Sequence, residues 1–278
     1  MTAEAANYAV IGHPVGHSKS PWIHTQFAAQ TGEPVRYTAI EAPVDAFLPT
    51  MRRFFEQGGQ GMNVTVPFKL EAFQAATEHL SERARIAGAV NTLWQQDGHL
   101  HGCNTDGVGL IHDLQRLDAP LQDARLLVIG AGGAARGILQ PLLDSGCREI
   151  LIANRSPARA DELVQAFASP VLTSCGLDGI PVQAGFDLVI NASSSSLGHQ
   201  APALPSGLYR PGAMAYDLVY GAAPTPFMTQ ADQDGAARQF DGLGMLVGQA
   251  AESFFIWRGI RPEIAPVLHA LRQTLQGH

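Results

Sequence analysis

The chain has 278 residues, 46% hydrophobic and 15% charged, with a mean hydropathy near zero. This length exceeds that of a typical single domain and predicts two, and the composition excludes a disordered chain. A net charge of −7 excludes a general affinity for nucleic acid, and no apolar run approaches the ~20 residues of a membrane span.

The opening residues lack a basic region followed by a long apolar stretch, so no signal peptide is read there. Cys103, Cys147 and Cys175 stand isolated, without CxxC or metal-finger spacing, which suits a reducing compartment and predicts a cytoplasmic protein. Strands are predicted over 8–11, 36–40 and 62–66. Polar and apolar side chains alternate from Asn63, so Asn63 and Thr65 share a strand face, and Pro67 stops the strand just before Lys69. A lysine there is ordinarily solvated, but a strand end can also present its amine to a ligand. Asn91, in Ala-Gly-Ala-Val-Asn-Thr, and Asp106, in Asn-Thr-Asp-Gly, are the polar company that favours the second reading. Residues 89–103, with Asp97-Gly98 at their centre, predict a β-hairpin. His99 and His101 share a face of it, but no third ligand is apparent and no metal site is predicted. Gly107 and Gly109 mark a passage into a second domain.

From residue 124 short apolar runs alternate with helical patterns, the signal of a parallel α/β layer with strands at 125–129, 149–153, 187–190 and 214–219. The first run leads into Gly130-Ala-Gly132-Gly133-Ala-Ala135, the strand–turn–helix setting of a dinucleotide fingerprint. Gly130 permits the tight turn, Gly132 lets backbone N–H groups approach a pyrophosphate, and Ala135 is small where helix and strand pack. Glycines of an ordinary βα turn would read the same way on the motif alone. Pro141 falls inside the following helix and should kink it or remove a bond. The next strand ends at Ala153-Asn154-Arg155-Ser156, followed by Arg159. No carboxylate stands there to take a ribose 2′-OH, and a guanidinium can hold a 2′-phosphate, so NADP is predicted over NAD. Beginning near Gly244, Leu246, Ala250, Phe254 and Trp257 recur at helical spacing, with Gln249 and Ser253 on a neighbouring face. This helix is expected to return to the N-terminal domain. Residues 1–106 completed by 243–278 would then bind substrate, and 107–242 would be a Rossmann-like, doubly wound dinucleotide domain.

These segments together resemble the shikimate dehydrogenase family over nearly the whole chain. The likeness is carried in order by Gly16-His-Ser-Lys-Ser-Pro21, Asn63-Val-Thr-Val-Pro-Phe-Lys69, the Asn91 and Asp106 segments, the glycine fingerprint, Asn154-Arg155, Tyr216-Asp-Leu-Val-Tyr220 and Asp241-Gly-Leu-Gly-Met-Leu-Val-Gly-Gln249. The resemblance implies NADPH-dependent reduction of 3-dehydroshikimate to shikimate in aromatic amino-acid biosynthesis, by a monomer or homodimer whose partner is a small-molecule substrate. It implies that Ser18 and Ser20 bind the substrate carboxylate, that Asn63, Thr65, Lys69, Asn91, Asp106, Tyr220 and Gln249 surround the ring, and that Lys69 and Asp106 are the catalytic pair. For the cofactor it implies Gly130, Ala131, Gly132, Gly133, Ala134, Asn154, Arg155, Ser156, Arg159, Ser193, Val219 and Gly242. Ser193 stands where threonine is usual and Ser196 where glycine is common. The alternatives are a quinate/shikimate dehydrogenase with broader substrate and NAD use, and a non-catalytic NADP-binding relative.

Overall fold

The computed structural model describes residues 5–183 and 185–277, and the chain divides into two compact units, 1–109 with 247–271 and 110–246 with 272–278.

The first unit contains β1 (Ala6–Gly12), α1 (Ser20–Thr31), β2 (Val35–Glu41), α2 (Phe47–Glu56), β3 (Gly59–Val64), α3 (Lys69–Ala75), α4 (Glu82–Ala87), β4 (Thr92–Gln96) and β5 (His99–Cys103). Its sheet runs β2-β1-β3-β4-β5, with β1 parallel to β2 and β3, and β4 antiparallel to both β3 and β5. Asp97 and Gly98 both take positive φ at the tight β4–β5 turn, as the Asp-Gly pair predicts. Side chains alternate across β1: Ala9 and Ile11 join Phe47, Met51 and Met62 in one core, while Tyr8 and Val10 join Tyr37 and Trp257 in another. The Trp257 indole stacks on Tyr8, its Nε1 donates to Leu93 O at 3.2 Å, and Gly61 has no Cβ where the indole lies.

α5 (Asp106–Arg116) carries the chain on, and the boundary falls inside this helix at Gly109, the second of the two glycines read as marking the passage, where the sequence starts the second domain at 107. The second unit holds β6 (Arg125–Ile129), α6 (Gly133–Asp144), β7 (Glu149–Asn154), α7 (Pro157–Phe167), β8 (Leu172–Gly176), β9 (Phe186–Asn191), β10 (Tyr209–Asp217), α8 (Pro226–Gln233) and β11 (Arg238–Asp241). All its strands are parallel, in the order β11-β10-β9-β6-β7-β8, a doubly wound sheet that changes direction between β6 and β9. Both faces are covered, as the unbroken apolar runs require. Leu126, Val128, Ile150, Ile152, Leu188 and Ile190 enter one core, and Leu127, Ile129, Leu151, Ala153 and Val189 enter the other. α6 continues through Pro141.

α9 (Leu243–Arg258) and α10 (Ile264–Gln276) end the chain, with 247–271 in the first unit. The sequence places all of 243–278 in that unit. The structure instead groups 272–278 with the second, where the Arg272 guanidinium bonds the Asp241 carboxylate and Gly221 O. No helix among the described residues is long and apolar enough to cross a membrane.

Candidate functional sites in the two units

In the first unit the polar residues of the motifs converge at the ends of β3 and β5. β3 ends at Val64 rather than at residue 66 as the alternation predicts, so Thr65 lies outside the strand. Its N–H still donates to Ile11 O at 3.0 Å, and Phe68 N–H turns back onto Thr65 O. Lys69 is therefore the first residue of α3, a position where the helix dipole mildly disfavours a cation. A carboxylate offsets this. Lys69 Nζ donates to Asp106 Oδ2 at 2.5 Å, and the two side chains are only 18% and 7% exposed. Asp106 Oδ1 accepts from Asn91 Nδ2 at 2.8 Å, and the Asp106 N–H donates to Asn104 Oδ1, which fixes the start of α5.

Asn91 is itself immobilised. Its backbone N–H donates to Cys103 O, its carbonyl accepts from Val64 N–H, and its Oδ1 accepts from Thr92 Oγ1 at 2.8 Å and from Thr105 N–H at 2.9 Å. With Oδ1 so engaged, the amide presents Nδ2 to Asp106. Gln249, on α9, approaches from another side, its Oε1 at 3.3 Å from Asn91 Nδ2 and 3.4 Å from Thr105 Oγ1. Asn63 is buried, and its polar atoms meet protein: Oδ1 accepts from Tyr37 Oη at 2.7 Å, and Nδ2 faces Asn91 O, Thr92 Oγ1 and Ser253 Oγ at 3.0–3.2 Å. Ser18 and Ser20 lie together at the start of α1, where Ser20 N–H reaches Ser18 Oγ at 3.3 Å. The hydroxyls of Thr92, Thr105 and Ser253, and the amide of Asn104, received no role from the sequence. Three of these adjoin Asn91 or Asp106 in their own motifs, and Ser253 follows Gln249 by one helical turn, which is the signal that could have found them.

His99 and His101 are not alone. Their ring centroids lie 4.5 and 4.8 Å from that of His79, and His101 stacks on Trp94. Among the described residues no group of ligand-type side chains has a geometry able to hold a metal ion.

The second unit gathers its candidate residues along one sheet edge. Ile129, Ala153, Asn191, Asp217 and Asp241 are in register at the C-terminal ends of their strands, so Gly130, Asn154, Ser193, Val219 and Gly242 lie at or just beyond that edge. The fingerprint sits beside the point where strand order reverses, the usual ligand position in open α/β sheets. Gly130 has φ +109°, and an added Cβ would lie 3.0 Å from the Ala192 carbonyl carbon and the Ser193 nitrogen, so this position requires glycine twice over. At Gly132 and Gly133 an added Cβ would meet nothing within 4 Å, so the turn is open to an approaching group. No side chain caps the N-terminus of α6, which leaves its first N–H groups to a ligand anion. These features fit a pyrophosphate. Asn154 Nδ2 donates to Ser156 O, and Arg155 and Arg159 are exposed at the start of α7, with no salt bridge to a described carboxylate. They fit a phosphate on the ribose. Tyr220 follows β10 in this unit, half-buried, and burial raises its phenol above the ordinary range.

The chain matches the family described as shikimate dehydrogenase substrate binding domain over residues 10–93, shikimate / quinate 5-dehydrogenase over 113–199, and shikimate 5′-dehydrogenase C-terminal domain over 242–272. A shikimate dehydrogenase (NADP(+)) of Bordetella avium is 62% identical over 285 aligned positions, covering 99% of each chain. The crystal structure of an Ael1 enzyme from Pseudomonas putida is similar with a TM-score of 0.89 at 44% identity, over 96% of this chain and 98% of that one. The shikimate 5-dehydrogenase of Thermus thermophilus in complex with NADP(H) and shikimate gives 0.86 at 32% identity, over 97% and 100%.

Proposed function

This chain belongs to the shikimate dehydrogenase family, and from that premise we propose that it catalyses the reversible NADPH-dependent reduction of 3-dehydroshikimate to shikimate, with Lys69 and Asp106 as its acid–base pair. The observation that carries the reading is the Lys69 Nζ to Asp106 Oδ2 contact of 2.5 Å, held on the other oxygen by Asn91. The first unit is the substrate domain and the second the dinucleotide domain.

NADPH held at the fingerprint of the second unit would supply a hydride to the carbonyl carbon. As negative charge gathers on the carbonyl oxygen, the Lys69 ammonium stabilises it and gives up a proton to it. Asp106 orients the ammonium, and Asn91 orients Asp106. In the reverse direction the pair accepts the hydroxyl proton. Ser18 and Ser20 take the substrate carboxylate, while Thr65, Asn91, Gln249 and Tyr220 take its hydroxyls. Asn63 acts through its bonds to Asn91 O, Thr92 and Ser253. Gly130 to Ala134 hold the pyrophosphate. Asn154, Arg155, Ser156 and Arg159 hold the 2′-phosphoribose, and Ser193, Val219 and Gly242 complete the cofactor edge. One chain carries both residue sets, so a monomer or homodimer suffices, and the three unpaired cysteines support a cytoplasmic setting.

A steady-state assay crossing shikimate and quinate with NADP⁺ and NAD⁺ tests the reading. Turnover of shikimate with NADP⁺ well above the other three combinations is expected. Comparable use of quinate and NAD⁺ would establish the broader quinate/shikimate dehydrogenase, and NADPH binding without turnover would establish a non-catalytic relative.

A further inference from the structure

The segment leaving β9 forms part of the surface on which the fingerprint rests. Gly130 meets Ala192 and Ser193 so closely that a methyl group would not fit between them. That backbone is tied from behind by one buried carboxylate. Asp217, at the end of β10, accepts at Oδ1 from Asn191 Nδ2 at 3.0 Å and Val219 N–H at 3.1 Å, and at Oδ2 from Ser196 Oγ at 2.7 Å and Thr225 Oγ1 at 2.6 Å. Asn191 then holds the first turn of the loop, its Oδ1 accepting from Ser193 N–H at 3.1 Å and from Ser193 Oγ at 2.6 Å.

Of the four donors to Asp217, Ser196 alone lies within the loop that follows Ala192. Asn191 ends β9, Val219 follows β10, and Thr225 caps α8 by accepting from Met228 N–H. Ser196 is almost wholly buried, and its Oγ also lies 3.3 Å from Asn191 Nδ2. A glycine at this position would have no hydroxyl with which to make the tie.

We propose that Ser196 is a positioning residue for the dinucleotide: its bond to Asp217 holds the Ala192–Ser193 backbone against the Gly130 turn and so sets the surface that receives the cofactor. The proposal rests on the NADP-binding reading above. Without the hydroxyl, the loop keeps the Ala192 N–H bond to Ile129 O and the bonds of Ser193 with Asn191 and Ser195, but loses its own tie to Asp217, and part of the cofactor's binding free energy goes into ordering it.

The test is fluorescence titration of NADPH into the full chain and into Ser196→Ala, Ser196→Gly and Ser196→Thr, with calorimetric shikimate binding and thermal unfolding alongside. The alanine and glycine variants are expected to raise the NADPH Kd about five- to tenfold, roughly 1 to 1.4 kcal/mol, while threonine stays within about twofold and shikimate affinity is unchanged. If one of the two hydroxyl-free variants fails to fold, the other carries the comparison. An NADPH Kd within about twofold of the parent in the folded hydroxyl-free variants overturns the proposal, as does a lowered melting temperature with that Kd unmoved. A parent protein that binds no NADPH refutes the cofactor reading itself, and the role of Ser196 with it.

Discussion

Replacing Lys69 by alanine removes the ammonium that reaches Asp106 Oδ2 across 2.5 Å and leaves its surroundings in place. Asp106 Oδ1 still accepts from Asn91 Nδ2 at 2.8 Å, and Asn91 is still locked by Thr92 and Thr105. The substrate therefore keeps most of its polar partners, and the loss falls on the chemical step. The expected fall in kcat is ~10² to 10⁴, or ~2.7 to 5.4 kcal/mol of transition-state stabilisation, with a smaller change in KM for shikimate. Asp106→Asn should be as severe for a geometric reason. Both carboxylate oxygens accept from N–H donors, so an amide must turn its own NH₂ toward either Lys69 or Asn91. The two residues act as a unit, and the double variant should lose little more than the worse single one. Asp106 is only 7% exposed, so loss of its cationic partner also costs stability, on the order of 3 kcal/mol. Circular dichroism and thermal melting must accordingly show that each variant is folded before kcat and KM are measured with shikimate and NADP⁺. A kcat for folded Lys69→Ala and Lys69→Met within a few-fold of the parent, with KM raised instead, would show that Lys69 only attracts an anion and would refute the acid–base role.

Arg155→Ala should raise KM for NADP⁺ roughly 10- to 150-fold, the equivalent of one charge-assisted bond of ~1.5 to 3 kcal/mol, while KM for NAD⁺ changes little; equal losses for both cofactors would remove Arg155 from the 2′-phosphate. His24 is fully buried against Tyr37 with neither ring nitrogen hydrogen-bonded, and burial lowers its pKa to about 3. The unfolded chain, with a histidine pKa of ~6.5, binds that proton first, so stability is expected to fall as pH drops from about 6.5 toward 3, by up to ~1.4 kcal/mol per pH unit. Urea unfolding of the parent and His24→Phe across this range checks it, since an identical slope in both proteins would contradict the assignment.

What was legible in the sequence was what repeats or has a fixed chemical form. The runs at 125–129 and 149–153 match β6 and nearly match β7, because strands buried on both faces must be apolar throughout. Asp97-Gly98 located the hairpin, and the glycine fingerprint located the turn between β6 and α6. β8 and β11 went unread: Leu172–Gly176 and Arg238–Asp241 are short edge strands with few apolar residues, and edge strands carry little hydrophobic signal. Thr65 was placed on the strand by its alternation with Asn63, but β3 ends first because the chain turns at 65–68, with Phe68 N–H bonded to Thr65 O. The third histidine beside His99 and His101 comes from a different element, which spacing along the hairpin could not reveal.

The direction of the hydrogen bonds was the least legible feature, and it has the most bearing on chemistry. Tyr37 donates to Asn63 Oδ1, so the Asn63 amide must send Nδ2 toward Asn91 O, Thr92 and Ser253. Thr92 Oγ1 and Thr105 N–H both donate to Asn91 Oδ1, which forces Asn91 to act as a donor toward Asp106. Asp106 is thereby an acceptor on both oxygens, and on one of them the donor is Lys69. An ammonium has three N–H groups and no acceptor. With one of them committed to Asp106, the others would be the groups that meet the carbonyl oxygen in the proposed reduction, and the buried chain that begins at Tyr37 would hold Asp106 in the one orientation in which it accepts from Lys69.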